Sequence, residues 1–217
     1  HLGFSEQLVD VIPLGVDRRF FSQISALEKE SILRALGINK PFFLFLGSIQ
    51  PRKNLIRLLD AHSKLPRSLA KQYPLVIAGK LAWDDGNILQ SINLAVAEGR
   101  AKWLNYITET QKHALLQSAR GLAFVSLYEG FGLPITEAFA SGLPVITSKC
   151  SSMPEVAGKD AILVDPTNTQ QITEALEGLI IDERLNTELK IAGQVRAKLF
   201  SWEENARRTY SIYQNMA

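Results

Sequence analysis

Short apolar runs of strand length alternate with longer amphipathic stretches along this 217-residue sequence, and few folds accommodate that alternation. The strand-length runs are Val9–Ile12, Phe42–Leu46, Leu75–Ala78, Gly121–Ser126, Pro144–Thr147 and Ala161–Val164. They read as unbroken apolar stretches rather than in-out alternations, the mark of strands covered on both faces. Helical periodicity lies between them at Ala26–Leu36, Asn54–Lys64, Asn87–Glu98, Gln111–Ser118 and Pro134–Ala140. The pattern predicts an α/β fold, a Rossmann-like doubly wound parallel sheet with helices on both faces. From Thr169 onward it is helical only, ending in Trp202–Met216, and Val164-Asp165-Pro166-Thr167-Asn168 marks where the sheet stops. The expectation is one α/β domain over 1–217 with a C-terminal helical tail over 169–217.

Composition removes several classes of function. Lys and Arg number 24 against 22 Asp and Glu, a formal charge of +2. So small an excess predicts no nucleic-acid partner, and any anion site must come from local placement. The single cysteine, Cys150, excludes an intramolecular disulfide framework and every multi-cysteine metal centre, and it fits a reducing compartment. No apolar run approaches the ~20 residues of a transmembrane segment, and no signal-peptide pattern opens the chain. The start at His1 without an initiator Met suggests a processed chain or an excised piece. A chain of this length buries a core that needs no disulfide or metal to hold it.

In doubly wound sheets ligands bind outside the carboxyl ends of the strands, so chemistry is expected in the loops after Leu46, Ala78, Ser126 and Thr147. Leu46 leads into Gly47-Ser48-Ile49-Gln50-Pro51-Arg52-Lys53-Asn54 and then into a helix. Two adjacent cations at a helix start oppose the helix dipole, whose N-terminal end disfavours positive charge. A compensating anion is therefore expected there. A phosphate could accept from the free backbone N–H groups while Arg52 and Lys53 neutralise it; the alternative is a pair of solvated surface cations. The Gly-Lys-Ser/Thr end of a Walker loop is absent.

Ser126-Leu127-Tyr128-Glu129-Gly130-Phe131-Gly132-Leu133-Pro134-Ile135-Thr136-Glu137 is the most informative stretch. Gly130 and Gly132 permit positive φ and close approach of a ligand to the backbone. Pro134 suits the first helical position and Gly142 the position just past the end. That puts Leu133 at the N-cap, with no side-chain oxygen for the orphan N–H groups, which stay free for water or a ligand phosphate. Glu129 before the glycines and Glu137 in or near the first turn can share one rim of one cleft. Taken singly, Glu129 reads equally as a solvated loop acid and Glu137 as a carboxylate complementing the dipole.

Together these segments resemble the C-terminal, donor-binding half of a GT-B-fold retaining glycosyltransferase of family four (glycosyltransferases group 1). The resemblance runs nearly end to end. Val11-Ile12-Pro13-Leu14-Gly15-Val16-Asp17 is similar to the segment entering the second domain, so residues 1–20 read as an interdomain segment. Gly47 through Leu55 resembles the Gly-x-x-x-Pro-Arg-Lys-Asn-Leu phosphate loop, and Val76-Ile77-Ala78-Gly79-Lys80 the next strand end. Glu129 and Glu137 resemble the paired-glutamate motif with seven residues between. Gly142-Leu143-Pro144-Val145-Ile146, Pro154-Glu155-Val156 and Trp202 in a final helix are family-like as well.

The resemblance implies a nucleoside-diphosphate sugar as donor, transfer with retention, and no cofactor or metal. Arg52 and Lys53 would clamp the diphosphate and stabilise the charge on it as it leaves. Glu129 would face the sugar, and Gly130, Phe131 and Gly132 would offer backbone N–H groups. Glu137 would bind the ribose, and Tyr106 and Ile107, after a short strand preceding Thr108, would lie against the base. Gly47, Ser48 and Leu133 complete the donor-binding set. Asp84-Asp85 is not a metal-binding Asp-x-Asp motif and reads as a loop before a helix. Many relatives carry Arg directly after the loop glycine, where this sequence has Ser48, as in a subset that resembles mannosyltransferases. With Gly79-Lys80 and Trp83, this favours GDP-mannose over UDP-glucose. The acceptor would be a glycan or a lipid-linked sugar, as in polysaccharide assembly.

A UDP-glucose-type donor and a non-catalytic nucleotide-binding module are the alternatives; the presence of both glutamates weighs against the second. A Rossmann dehydrogenase is disfavoured, because no Gly-x-Gly-x-x-Gly follows an early strand with an acid ~20 residues on. His62 and His113 read as ordinary surface or half-buried residues, Cys150 as an inert thiol, and Ser126 as lacking the His and Asp a nucleophile needs. Phe42, Phe43 and Phe45 read as core and Trp202 as packing. The resemblance puts acceptor contacts on an N-terminal domain absent from this sequence. This half is therefore expected to bind donor but transfer little alone, in the cytoplasm or at the inner membrane face.

Overall fold

The computed structural model of the chain describes residues 9–83 and 86–216. Among the described residues there are six strands, five of them on the apolar runs: β1 (Phe43–Leu46), β2 (Leu75–Ala78), β3 (Ala101–Asn105), β4 (Gly121–Phe124), β5 (Val145–Ser148) and β6 (Ile162–Val164). Every residue of β1, β2, β4 and β5 is buried. Around them lie α1 (Ala26–Ala35), α2 (Leu55–Ser63), α3 (Arg67–Gln72), α4 (Ile88–Ala97), α5 (Glu109–Ser118), α6 (Leu133–Ala140) and α7 (Met153–Ala157). The tail is α8 (Thr169–Ile181), α9 (Glu183–Ala197) and α10 (Trp202–Met216). No helix among the described residues is long and apolar enough to cross a membrane.

The strands pair in parallel in the order β3-β2-β1-β4-β5-β6. The chain winds outward from β1 to β3, returns to lay β4 on the other side of β1, and winds outward again. This is the strand order of dinucleotide-binding folds, and it puts the topological switch point between β1 and β4. Side chains of alternate hand fix the layers. Phe43, Phe45, Leu75 and Ile77 pack with residues of α2, α4 and α8 on one face. Leu44, Leu46, Val76, Leu122 and Phe124 pack with residues of α5, α6 and α7 on the other. Each such side chain contributes about 1.5–3 kcal/mol on burial, so no strand can slip by one residue without losing both faces. The doubly wound sheet and helical tail are those expected from the sequence.

One expectation about elements is corrected, and the short strand that the resemblance puts before Thr108 is present although no apolar run marks it. Val9–Ile12 is not a strand: Val9 and Val11 are exposed, and the segment runs along α10. There Asn205 Nδ2 donates to the Pro13 carbonyl at 2.8 Å and an Arg208 guanidinium N–H donates to the Val11 carbonyl at 3.0 Å. Trp202 packs against Gly15. Conversely, Ala101–Asn105 is a full edge strand paired with β2. It carries Lys102 and Asn105, and only its first residue is buried. An edge strand needs no continuous apolar run, which is why periodicity did not pick it out. The Asp84-Asp85 loop lies outside the described residues.

Candidate active site

The loop after β1 is shaped by two glycines and an asparagine. Gly47 has φ +138° and donates its N–H to the Ala78 carbonyl at 3.0 Å. A side chain on Gly79 would meet the Gly47 carbonyl oxygen at 1.9 Å, so the ends of β1 and β2 touch backbone to backbone. Pro51–Lys53 then forms a 3-10 turn, and Asn54 closes it in the left-handed conformation, φ 61° and ψ 28°, which Asn tolerates better than other side chains. The Asn54 amide is buried and donates to the carbonyls of Val125 (2.9 Å) and Pro166 (2.8 Å). It ties this loop to the ends of β4 and β6. Arg52 and Lys53 thus lie in a separate turn before α2, one step earlier than a helix starting at Asn54 would have them.

The loop after β4 comes to meet that turn. The Leu127 N–H donates to the Arg52 carbonyl at 2.8 Å. The Glu129 carbonyl accepts from the hydroxyls of Ser151 (2.6 Å) and Ser152 (3.0 Å), and Ser152 also reaches the Phe131 carbonyl. Gly132, φ +104°, is the N-cap of α6, with no side-chain cap. Leu133 is therefore the first helical residue rather than the N-cap, because only glycine takes that backbone at no steric cost. Gly130 does not use positive φ, and a side chain there would meet nothing within 4 Å. The Phe131 ring turns inward onto Phe200, edge to face at 5.7 Å, so what Phe131 can offer a ligand is backbone.

At the junction Glu129 takes one cation on each oxygen: Lys53 Nζ lies 2.6 Å from Oε1 and an Arg52 guanidinium nitrogen 2.8 Å from Oε2. The Lys53 and Glu129 side chains are each 9% exposed, Arg52 43%. The Lys53–Glu129 contact is thus an interior ion pair and the Arg52 contact a half-solvated one. Lys53 also lies over the Phe124 ring, 4.9 Å from its centroid. The sequence offers a phosphate or solvent as partner of Arg52 and Lys53; in this structure the carboxylate of Glu129 pairs with both. Burial alone would push that carboxyl up, but hydrogen bonds from Lys53, Ser126 and Arg52 outweigh it and hold it below the usual carboxylate range.

Glu137 belongs to a different cluster. It is the fifth residue of α6, beyond the first turn, and pairs with Lys112 of α5 at 2.9 Å. Glu109 shares that lysine at 3.1 Å. Burial raises the Glu137 carboxyl above its ordinary value, and half a share in one cation does not offset it. Lys112 also loses by burial, yet its two carboxylate partners raise it. The glutamates therefore respond oppositely to pH. Glu129, with a lowered pKa, contributes stability that is present above the unfolded carboxylate pKa and lost as the pH falls through its own. Glu137, with a raised pKa, contributes stability present in acid and lost as the pH rises through it. Urea denaturation should find Glu129→Gln less stable than the parent at pH 7, with the gap narrowing toward pH 4. Glu137→Gln should be no less stable than the parent at pH 7.

The sequence-predicted residues therefore divide. Gly47, Arg52, Lys53 and Glu129 meet at the β1–β4 switch point; Ser48, Gly130, Phe131 and Gly132 lie on the same two loops, and Leu133 opens α6. Tyr106 follows β3 on the same side of the sheet, exposed, with Lys80 Nζ 5.0 Å from its ring centroid; Ile107 packs on the core. The two glutamates share no partner. Asn54, Lys112, Ser151 and Ser152 escaped sequence reasoning. Asn54 stands inside the Pro-Arg-Lys-Asn run, a visible signal; Lys112 is brought to Glu137 only by packing of α5 beside α6.

His62 and His113 are buried rather than half-buried. Nε2 of His62 meets the Tyr73 carbonyl and Nε2 of His113 meets Gln117; burial lowers both pKa values. Burial and the charge of Asp165 push the Cys150 thiol up, away from reactivity. Among the described residues no group of three or more His, Cys, Asp or Glu side chains could hold a metal ion.

Comparison with known proteins gives this geometry a family. The O-antigen chain mannosyltransferase B of Escherichia coli is 34% identical over 172 residues, which are 79% of this chain and 45% of that protein. HepE of Anabaena, solved in complex with UDP and glucose, has a TM-score of 0.84 at 21% identity, covering 97% of this chain and 58% of that one. The C-terminal domain of LpcC from Francisella tularensis, a glycosyl transferase group 1 family protein, has a TM-score of 0.70 at 23% identity, covering 85% of this chain and 97% of that domain. The chain spans about half the length of the E. coli and Anabaena proteins. Residues 28–196 match the family of glycosyl transferases group 1. With the doubly wound sheet of one half of a GT-B fold, this chain belongs to the glycosyl transferases group 1 family.

Proposed function

We propose that this chain is the donor-binding half of a retaining glycosyltransferase that moves mannose from GDP-mannose to a glycan or lipid-linked acceptor. The observation that carries the reading is the convergence of Arg52 and Lys53 at the carboxyl ends of β1 and β4, where doubly wound sheets hold nucleotides. Arg52 and Lys53 bind the diphosphate and stabilise the negative charge that grows on it as the glycosidic bond breaks. No cofactor or metal is assigned; the two side chains supply the positive charge.

Gly47 and Ser48 line the phosphate side, and the backbone of Gly130, Phe131, Gly132 and Leu133 faces phosphate and sugar. Glu129 holds sugar hydroxyls and faces the oxocarbenium-like charge. Glu137 takes the ribose hydroxyls on its oxygen remote from Lys112, and Tyr106 and Ile107 lie against the base. Mannose is favoured by the similarity to the E. coli mannosyltransferase and by Ser48 in the phosphate loop. Acceptor recognition falls to a partner N-terminal domain, and the work is done in the cytoplasm or at the inner face of the membrane.

Calorimetric titration with GDP-mannose, GDP, UDP-glucose and UDP tests this. GDP-mannose should bind more tightly than UDP-glucose. The reverse order would overturn the choice of donor, and silence with all four would overturn the donor site.

A further inference from the structure

We propose that Glu129 is a specificity-determining residue that sets the preference of the site for an intact sugar nucleotide over the free nucleoside diphosphate. It would do so by holding both phosphate-binding cations until the hydroxyls of the donor sugar take their place. The inference rests on the function proposed above and deepens it.

The site is already electrically occupied by the protein's own groups. One carboxylate bridges Lys53 and Arg52, one oxygen to each, at 2.6 and 2.8 Å. The Lys53 ammonium is walled by the Phe124 ring on one side and approaches Gly47 on another, where an added Cβ would lie 3.6 Å from Nζ. With so little of Lys53 exposed, a diphosphate reaches it chiefly by way of the Glu129 carboxylate. Two anions around one nearly buried ammonium repel each other strongly, so the incoming phosphate must turn Glu129 away from its cations.

The residue itself cannot leave. Its N–H donates to Ser151 Oγ at 3.2 Å, and its carbonyl is held by Ser151 and Ser152. Only the side chain can rotate, and the free-energy cost depends on what it meets next. Sugar hydroxyls donate to a displaced carboxylate and restore its lost bonds. A bare diphosphate carries no such donors and leaves an anion beside an anion. A ligand shifts an equilibrium only through contacts that differ between the states, and here the differing contacts are those of the sugar with Glu129. The same imbalance favours release of the nucleoside diphosphate once the sugar has gone.

The test is calorimetric titration of the parent chain and Glu129→Gln with GDP, UDP, GDP-mannose and UDP-glucose. The Gln variant should bind the free diphosphate of its donor about tenfold more tightly than the parent, within the usual range for coupled ligands. Its affinity for the corresponding sugar nucleotide should not rise. An unchanged or weaker affinity for the free diphosphate, in a variant whose unfolding transition shows it folded, would overturn the proposal. If the variant does not fold, crystal structures of the parent with and without diphosphate decide. Glu129 should move beyond about 4 Å, outside ion-pair range, of Lys53 Nζ in the complex, and its staying bonded to both cations would refute displacement. Failure of the parent chain to bind any of the four ligands is a separate result, which overturns the donor site and this inference with it.

Discussion

A Lys53→Met chain is expected to unfold about 6–12 °C below the parent and to lose most of the stabilisation that GDP or UDP confers. Both effects come from one ammonium. Lys53 neutralises Glu129 inside the protein, each side chain 9% exposed. Removing one member of a buried ion pair leaves the other uncompensated, at a cost of about 3–5 kcal/mol. Arg52 still reaches the second carboxylate oxygen, so the lower end, about 3 kcal/mol, applies. In a chain of this size each kcal/mol moves Tm by about 2–4 °C. Nucleotide at a hundred times its Kd stabilises a folded chain by about 2.7 kcal/mol, and the half-solvated Arg52 alone should retain only a minor part of that. Thermal unfolding with and without nucleotide reads both quantities. A variant that melts like the parent and responds equally to nucleotide would mean that Lys53 is a solvated surface cation.

Gly79→Ala should be as severe, for steric reasons. The new Cβ would lie 1.9 Å from the Gly47 carbonyl oxygen and 2.7 Å from its carbon, and both atoms are backbone. Neither strand end is free to retreat. Gly47 donates to the Ala78 carbonyl, Ile49 donates to the Lys80 carbonyl at 2.8 Å, and the Trp103 indole donates to the Gly79 carbonyl at 2.9 Å. Overpacking costs about 1–3 kcal/mol where side chains yield; a clash between two tethered backbones belongs at the upper limit, about 3 kcal/mol. Because Gly47 opens the phosphate loop, nucleotide affinity should fall as well. Gly130→Ala is the control. Nothing lies within 4 Å of its new methyl, so stability should stay within about 0.5 kcal/mol of the parent. Urea denaturation of the three chains checks the pair, and equal stabilities would contradict the close β1–β2 contact.

How far the sequence could be read follows the physics of each element. Strands buried on both faces have no polar alternation to hide them, so β1, β2, β4 and β5 stand out as apolar runs. β3 does not, because at the sheet edge Lys102 and Asn105 cost nothing. Val9–Ile12 has the composition of a strand but lies beside α10, away from the sheet; composition cannot say whether an edge is there to receive it. The charge conflict at Arg52 and Lys53 points to an anion, but not to which one. That the resident anion is Glu129, 76 residues from Lys53, depends on β4 returning to the side of β1. Local rules placed the α6 cap one residue late because Pro134 fits two positions, and only the backbone of Gly132 decides between them. The Lys112–Glu137 pair leaves no trace in the sequence, since it exists only where α5 and α6 meet.

The central claim is that a nucleoside diphosphate binds at the switch point between β1 and β4, on Arg52 and Lys53. Amide NMR of the uniformly labelled chain, titrated with GDP and with UDP, tests it most directly. The largest shifts should fall on Gly47, Ser48, Arg52, Lys53 and Gly130 to Leu133, all at the carboxyl ends of those two strands. Shifts confined to the opposite end of the sheet or to the helical tail, or no shifts with either nucleotide, would contradict the account.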